Sequence, residues 1–421
     1  MSVTRPTIAH RRCISSWVSA LVALSWWLAS ETARAQPPDL SRARVVELVT
    51  RAPEARVAEA EVRVSRAAVR AAGALSLEEP VLSGMGGVRV NADGRQTFSG
   101  VASLSWPVDF GGKRGAREGA AVAEQREAEA TLSVQTRRVL LAALLQHAAV
   151  LRDERKLALA EARRTNSLRV MESARKRREA GSVPELDVSL AALQLARDTA
   201  DALTAGGERD ADLHRLEALL GLVSEQRSRA TGALVPEAEP PPIDLMLRQI
   251  EQRAPVREAA ARVEAAKARA GRESSAGAPT INLLAQYERD DDANVGMLGV
   301  AVPLPVLNGN RLARATSSAA IQAARAREEA TRALAVAETR ELYARYAATR
   351  RAVESLAPTE ATVSEAMALA TRAYELGEGD LASVLLVHRE ALDGQRALLD
   401  AEHAHAVAKL ELLVASGRTP K

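Results

Sequence analysis

Few residues in this sequence are placed to do covalent chemistry. His403 and His405 lie two positions apart, which on a helix points them to different faces and makes a poor metal pair. The acidic run "RDDDAN", Arg289 to Asn294, could attract a divalent cation, but its spacing is not that of a calcium loop. "RKRR", Arg175 to Arg178, could meet an acidic surface, the plainer reading being a solvated helix face. No nucleophile stands beside a base, and neither a zinc motif nor a phosphate loop is present in the sequence. What remains is non-covalent chemistry, so neither enzyme activity nor a cofactor is expected.

The elements that must position such groups begin after a leader. Arg5, Arg11 and Arg12 precede an apolar run from Cys13 to Ala29, and Ala33-Arg34-Ala35 offers a small-residue cleavage site. Residues 1–35 therefore read as a secretory signal peptide cleaved near Ala35. The leader holds four Arg and one Glu, so the chain after it balances at 53 basic and 53 acidic residues. That balance gives no reason to expect a nucleic-acid partner. The sole cysteine, Cys13, lies in the leader, so no disulfide and no lipid-anchor Cys are expected after processing. No later segment approaches the roughly 18 apolar residues of a membrane helix. Two options stay open: a soluble exported protein, or one held in an outer membrane by strands.

The rest of the chain is written twice. Arg51-Ala52-Pro53 recurs as Arg253-Ala254-Pro255, Gly100-Val101-Ala102 as Gly299-Val300-Ala301, and Pro107-Val108 as Pro305-Val306. Glu179-Ala180-Gly181 lines up with Glu375-Leu376-Gly377. The first repeat is assigned to residues 36–234, a Pro-rich linker to 235–244, and the second repeat to 245–421.

Each repeat has the same internal order: a first helix, a strand pair, a very long helix, a Gly-marked tip and a return helix. Strand pairs are predicted at about 80–106 and 279–303, where apolar and polar residues alternate through "TFSGVASLSW" and "TINLLAQY". Segments of about ten residues match a tilted membrane-spanning strand. Long helices are predicted over about 113–180 and 311–376, rich in Ala, Arg, Glu and Leu, the second interrupted only by Pro358. Return helices are expected over about 185–220 and 381–416. Aromatic residues make up 2% of the chain, too few for an ordinary globular core. Phe98, Trp106, Phe110 and Tyr287 all fall in or beside the strand pairs, where a girdle at a membrane interface is one reading and ordinary strand residues the other.

This ordered set resembles the TolC-type outer-membrane efflux proteins. The likeness is carried by "SWPVDFGGKR" and "VPLPVLNGNR" at the strand exits, by "YELGEGDLASVL" at a tip, and by the closing "LEALLG" and "LELLVASG". It covers essentially the whole chain after the leader. The resemblance implies a mainly α fold with a small β part. In a homotrimer, four strands per subunit would form a twelve-stranded barrel in the outer-membrane lipid, continuous with a helical barrel in the periplasm. Pro107 and Pro305 would mark the crossings from strand to helix. The implied partners are a periplasmic adaptor and an inner-membrane pump of RND or ABC type. The implied function is passive export of small molecules or metal cations.

The family's entrance is closed by polar links between helix hairpins. Asp187, six residues after Gly181, and Tyr374, three before Gly377, match places where the family carries gate residues. A phenol donating to a carboxylate would make a strong but breakable link. Ser383 stands where a second Asp would be expected, while Glu375, Glu378 and Asp380 could line the opening and favour cations; solvated helix-end charges are the alternative. Two other functions stay open: an exit duct for type I protein secretion, and a periplasmic coiled-coil adaptor without a barrel.

Overall fold

Proline, glycine and alanine set the lengths of the elements. The computed structural model describes residues 39–74, 76, 78–90, 92–109, 111–222, 228–290, 293–304 and 309–418. The expected leader, Phe110, Pro305 and the central aspartates of the acidic turn, Asp291 and Asp292, lie outside the described residues.

Strand β1 (Asp39–Ser41) runs into helix α1 (Arg42–Val49), capped by Ser41, whose hydroxyl accepts from the Arg44 N–H at 3.3 Å. β1 pairs in parallel with β4 (Arg229–Thr231), tying the start of the first repeat to the segment after its return helix. Between them come α2 (Pro53–Ala72), β2 (Val81–Val90), β3 (Gln96–Asp109), α3 (Lys113–Glu179) and α4 (Glu185–Leu220). α2 opens on Pro53, whose missing N–H costs nothing in the first turn. α3 has 67 residues and is about 100 Å long.

The second half of the chain opens with a short helix α5 (Ile243–Arg248) and a single 3₁₀ turn (Ile250–Gln252). It supplies α6 (Ala254–Ala276), β5 (Thr280–Asp290), β6 (Ala293–Ala301), α7 (Arg311–Leu356), α8 (Thr359–Leu376) and α9 (Leu381–Ala415). α7 and α8 are separated at Pro358, which cannot supply an amide to the helix ladder. The Pro-rich linker is fastened by Glu239, which accepts from Lys409 Nζ at 2.7 Å and from the Tyr346 hydroxyl at 2.8 Å.

The largest core lies where α1, α3, α4 and α9 meet, with Val45, Leu144, Val150, Leu216 and Leu410 buried. His147 lies there too. Its Nε2 donates to the Leu40 carbonyl at 2.8 Å, and burial lowers its pKa and keeps the ring neutral. Beyond this core the long helices approach through small residues such as Ala160 with Ala202 and Ala205.

Pro107 does not end its strand, contrary to the expectation. β3 continues to Asp109, with Pro107 opposite Asn282. β2 stops opposite Ser105, so one side of β3 has no partner at Pro107, and a residue without an N–H is tolerated there. The change of direction falls on Gly111 and Gly112, at φ 72° and 75°. A Cβ on Gly111 would come within 2.9 Å of the Ala278 side chain. In the second repeat α7 starts after Asn310, at φ 56°, whose amide donates to the Glu273 carbonyl at 2.7 Å.

Candidate functional site

Two regions could act on something outside the chain: the sheet at one end and the hairpin tips at the other. The sheet is antiparallel in the order β2-β3-β5-β6. Residues opposed across an antiparallel pair share a face, so the registers sort the side chains. One face carries Leu82, Val88, Leu104, Leu283, Leu298 and Val300. The other mixes Ser83, Arg89, Thr97, Ser103, Gln286, Glu288 and Asp290 with Met85, Val101, Leu284, Val295 and Met297, and carries an ion pair between Arg89 and Asp290.

The apolar face is bare: Leu298 is 90% exposed and Leu82 77%. An apolar surface of this extent marks contact with lipid or a partner. Glycine dilutes the alternation in the sequence for a packing reason. The Phe98 ring lies over Gly86 and Gly100, where an added Cβ would stand 3.1 and 3.0 Å from ring atoms. Phe98 and Trp106, eight residues apart, lie toward opposite ends of this face, about 27 Å from each other. Tyr287, opposite Ala102, sits midway between them. β2 and β6 each pair on one side only, so the sheet has two open edges.

At the far end, α3 turns into α4 through Gly181 (φ 72°) and α8 into α9 through Gly377 (φ 84°). Each glycine closes a left-handed helix cap. Ser182 N–H donates to the Arg177 carbonyl at 2.8 Å, and Glu378 N–H to the Ala373 carbonyl at 2.9 Å. Asp380 caps α9, accepting from the Ser383 N–H at 2.7 Å and its hydroxyl at 3.0 Å, bonds that hold its carboxyl below the usual range. Glu375 lies 3.6 Å from Arg372.

Tyr374 is fully buried among Val170, Met171, Ala174, Ala191, Leu381 and Val384, so it plugs the space between the two hairpins. Its phenol oxygen has no hydrogen-bond partner among the described residues. Burial raises the phenol pKa, the nearby charge of Asp187 raises it further, and Arg177 opposes them. No hydrogen bond joins Tyr374 to Asp187 within the described chain.

The residue that does reach Tyr374 is Arg177, half-buried at the end of α3. Its guanidinium carbon lies 4.7 Å from the centre of the Tyr374 ring, and Nη1 donates to the Tyr374 carbonyl at 3.1 Å. The other members of "RKRR" are exposed, with Arg178 paired to Glu185 at 3.2 Å. About 16 Å back along α3 a second polar layer bridges the hairpins. Asn166 Nδ2 lies 2.6 Å from His388 Nε2 and 3.4 Å from the Thr371 hydroxyl. Ser167 donates to Asp198, and Arg163 lies 3.9 Å from the same carboxylate.

A bare two-faced sheet continuous with helix hairpins has a known counterpart. The model of the outer membrane efflux protein family matches residues 45–222 and 246–418, one match on each repeat. The chain belongs to the outer membrane efflux protein family. It is 27% identical over 219 residues to the cobalt-zinc-cadmium resistance protein CzcC of Cupriavidus metallidurans, a match that spans about half of each chain, 52%. Among solved structures it is similar to CusC, with a TM-score of 0.75 and 18% identity over 90% of this chain and 92% of that one. It is similar as well to the outer membrane protein VceC of Vibrio cholerae, with a TM-score of 0.71 and 21% identity over 90% and 96% of the two chains. The mainly α fold with a small sheet is the fold of these efflux proteins.

Arg177 and the Asn166–His388 pair escape sequence reasoning. Within "RKRR" nothing distinguishes Arg177 from its neighbours, and Asn166 and His388 are 222 positions apart.

Proposed function

We propose that the chain is one protomer of an outer-membrane exit duct, a passive channel for cargo delivered by an inner-membrane pump and a periplasmic adaptor. The observation that carries this reading is the four-stranded sheet with one apolar face, a second face that holds nearly all of its charged and hydroxyl side chains, and two open edges. In lipid an open edge leaves backbone groups unpaired at high cost. Joining β6 of one copy to β2 of the next removes every edge once the ring closes. Three copies close it with twelve strands, apolar faces outward to lipid and polar faces toward a lumen.

On this reading residues 1–35 form the signal peptide that sends the chain to the cell surface. The first repeat takes up 36–234, the linker 235–244 and the second repeat 245–421. The long helices form a tunnel reaching into the periplasm. Its entrance lies at the tips, turned by Gly181 and Gly377 and lined by Asp187, Glu375 and Asp380, with Tyr374 packed behind them between the hairpins. Trp106 and Phe98 stand near the two lipid interfaces, with Phe110 and Tyr287 completing the aromatic set. Metal cations are the favoured cargo, since the name of the relative CzcC concerns cobalt, zinc and cadmium resistance. Catalysis plays no part in a passive duct.

Electron microscopy of the protein extracted from outer membranes in detergent tests this reading. The expected image is a three-fold hollow tube whose helical part is about 100 Å long. A solid rod recovered without detergent would instead give the chain to the coiled-coil adaptor class.

A further inference from the structure

We propose that Arg177 and Asn166 of α3 form a two-point latch that sets the resting position of the second hairpin, α8–α9, against the first. This latch, rather than a phenol–carboxylate bond, holds the entrance narrow. The proposal rests on the reading of the chain as a duct.

The first point is Arg177 on Tyr374. Its guanidinium covers the ring face at 4.7 Å, and its Nη1 donates to the tyrosine's own carbonyl at 3.1 Å. That carbonyl belongs to the last turn of α8, where the helix ladder runs out. One planar side chain thus grips both ring and backbone at the end of α8, a geometry that suits Arg better than Lys. The phenol oxygen takes no part, being buried without a hydrogen-bond partner among the described residues. Arg177 is a positioning residue: it acts on cargo only through where it places α8.

The second point is Asn166 on His388. An amide nitrogen can only donate, so His388 Nε2 accepts at 2.6 Å, which requires a neutral imidazole. His388 is 8% exposed, and burial lowers its pKa. The groups facing it are Arg163 and Asn166 from α3 and Asp198 from α4, with the Thr371 hydroxyl of α8 on the same Asn166 amide. Asp198 favours the imidazolium, but it also accepts from Ser167 and Gln194 and lies near Arg163. Arg163 opposes the imidazolium; its Nε and Nη1 make no hydrogen bond among the described residues, and Nη1 lies 3.9 Å from Asp198 and 3.7 Å from Asp201. A proton on Nε2 would remove the acceptor and set a second cation beside Arg163. Because the folded pKa is depressed, this point is intact above the ordinary imidazole range and is released as pH falls through the depressed value.

Hydrogen exchange of the full chain in detergent, followed by mass spectrometry, tests the latch without relying on conduction. Arg177→Ala should speed exchange over 371–384 about tenfold, the size expected for one cation–π contact and one hydrogen bond lost together. Arg177→Lys should fall between the two. Asp187→Ala with Tyr374→Phe should leave that segment unchanged, because ring and carbonyl remain. Lowering the pH from about 7.5 to about 5 should speed exchange there in the wild type, after correction for the intrinsic rate, and His388→Gln should flatten that response. Unchanged exchange in Arg177→Ala overturns the latch, as does an equal rise in the Asp187→Ala, Tyr374→Phe variant. Single-channel recording of the same proteins in planar bilayers then separates the two readings. If exchange rises in Arg177→Ala and conductance rises with it, the latch gates a duct. If exchange rises and no protein conducts, the latch stands and the duct fails. If the wild type conducts and Arg177→Ala changes neither quantity, the duct stands and the latch fails.

Discussion

The long arms of the two repeats, α3 and α7–α8, descend from the same plan and are packed in opposite ways. α3 buries sixteen of its 67 residues within the chain, among them Leu144, His147, Val150 and Asp153. α7 buries five of 46 and α8 two of 18. Leu312 and Leu334 on α7 are 76% and 69% exposed, values more typical of charged side chains. The first arm is the spine on which the protomer folds. The second arm is packed on one side only and leaves Leu312, Leu334 and Leu369 exposed on the other.

The largest test sets one leucine from each arm against the other. Leu144→Ala empties a fully buried site in the main core and should cost about 2–5 kcal/mol. Leu334→Ala should change the stability of the folded chain by less than about 0.5 kcal/mol, yet weaken assembly. Denaturant unfolding reads the first effect. The temperature at which the detergent-solubilised oligomer dissociates on a semi-native gel reads the second. Equal losses of chain stability in both variants would break the comparison, because they would mean that the second arm is also packed within its own protomer.

Much of this asymmetry is absent from the sequence. The arms share composition and period, so helix lengths, Gly tips and the Pro358 break can be read directly, since propensity and breakers act locally. Which helix faces are covered depends on neighbours hundreds of positions away. The same limit hides Arg177, one cation among four. It also hides β1, β4 and α1, which are too short for periodicity to register. Pro107 is misread for a related reason: whether a proline ends a strand depends on whether both sides are paired, and β2 stops short of it. The Ser383 that departs from the expected second aspartate is explained by local chemistry, as the residue whose N–H and hydroxyl satisfy Asp380.

A second, smaller test uses protons. The first arm buries His147, whose pKa burial lowers, and Asp153, whose carboxyl burial raises. The second arm buries no histidine or carboxylate on α7 or α8. For His147 the depressed value means that its stability is present above the ordinary imidazole range and lost as pH falls through the folded pKa. For Asp153 the raised value means the reverse: stability is present below the ordinary carboxylate range and lost as pH rises through the folded pKa. The two groups therefore pull the first arm in opposite directions, His147 destabilising it as pH falls and Asp153 as pH rises, by at most about 1.4 kcal/mol per pH unit for each. In a denaturation-versus-pH curve His147→Gln should remove the loss that accompanies acidification, and Asp153→Asn the loss that accompanies rising pH. If both variants follow the pH dependence of the wild type, that dependence arises elsewhere and these two buried groups do not distinguish the arms.

The smallest effect is at the tips, where the repeats differ by a single cap. α4 begins after Pro184, which offers no side-chain oxygen, whereas α9 begins at Asp380, whose carboxylate accepts twice from Ser383. A carboxylate used this way has two possible roles that one substitution cannot separate, since Asp380→Ala removes both the cap and a negative charge at the opening. Asn caps helices about as well as Asp but carries no charge. If Asp380 matters mainly as a cap, Asp380→Asn should match the wild type in exchange over 380–384, and Asp380→Ala should fray it slightly. Lowering the pH through the depressed carboxyl pKa should fray it in the same way, because a group whose folded pKa is lowered loses its stabilisation as it is protonated. If Asp380 matters as a lining charge, Asp380→Asn and Asp380→Ala should reduce cation over anion permeability equally in planar bilayers, with the Asn variant keeping its helix intact. Equal permeability ratios in all three proteins would assign the residue to the helix alone, and would leave cation selectivity at this tip to Glu375 and Glu378.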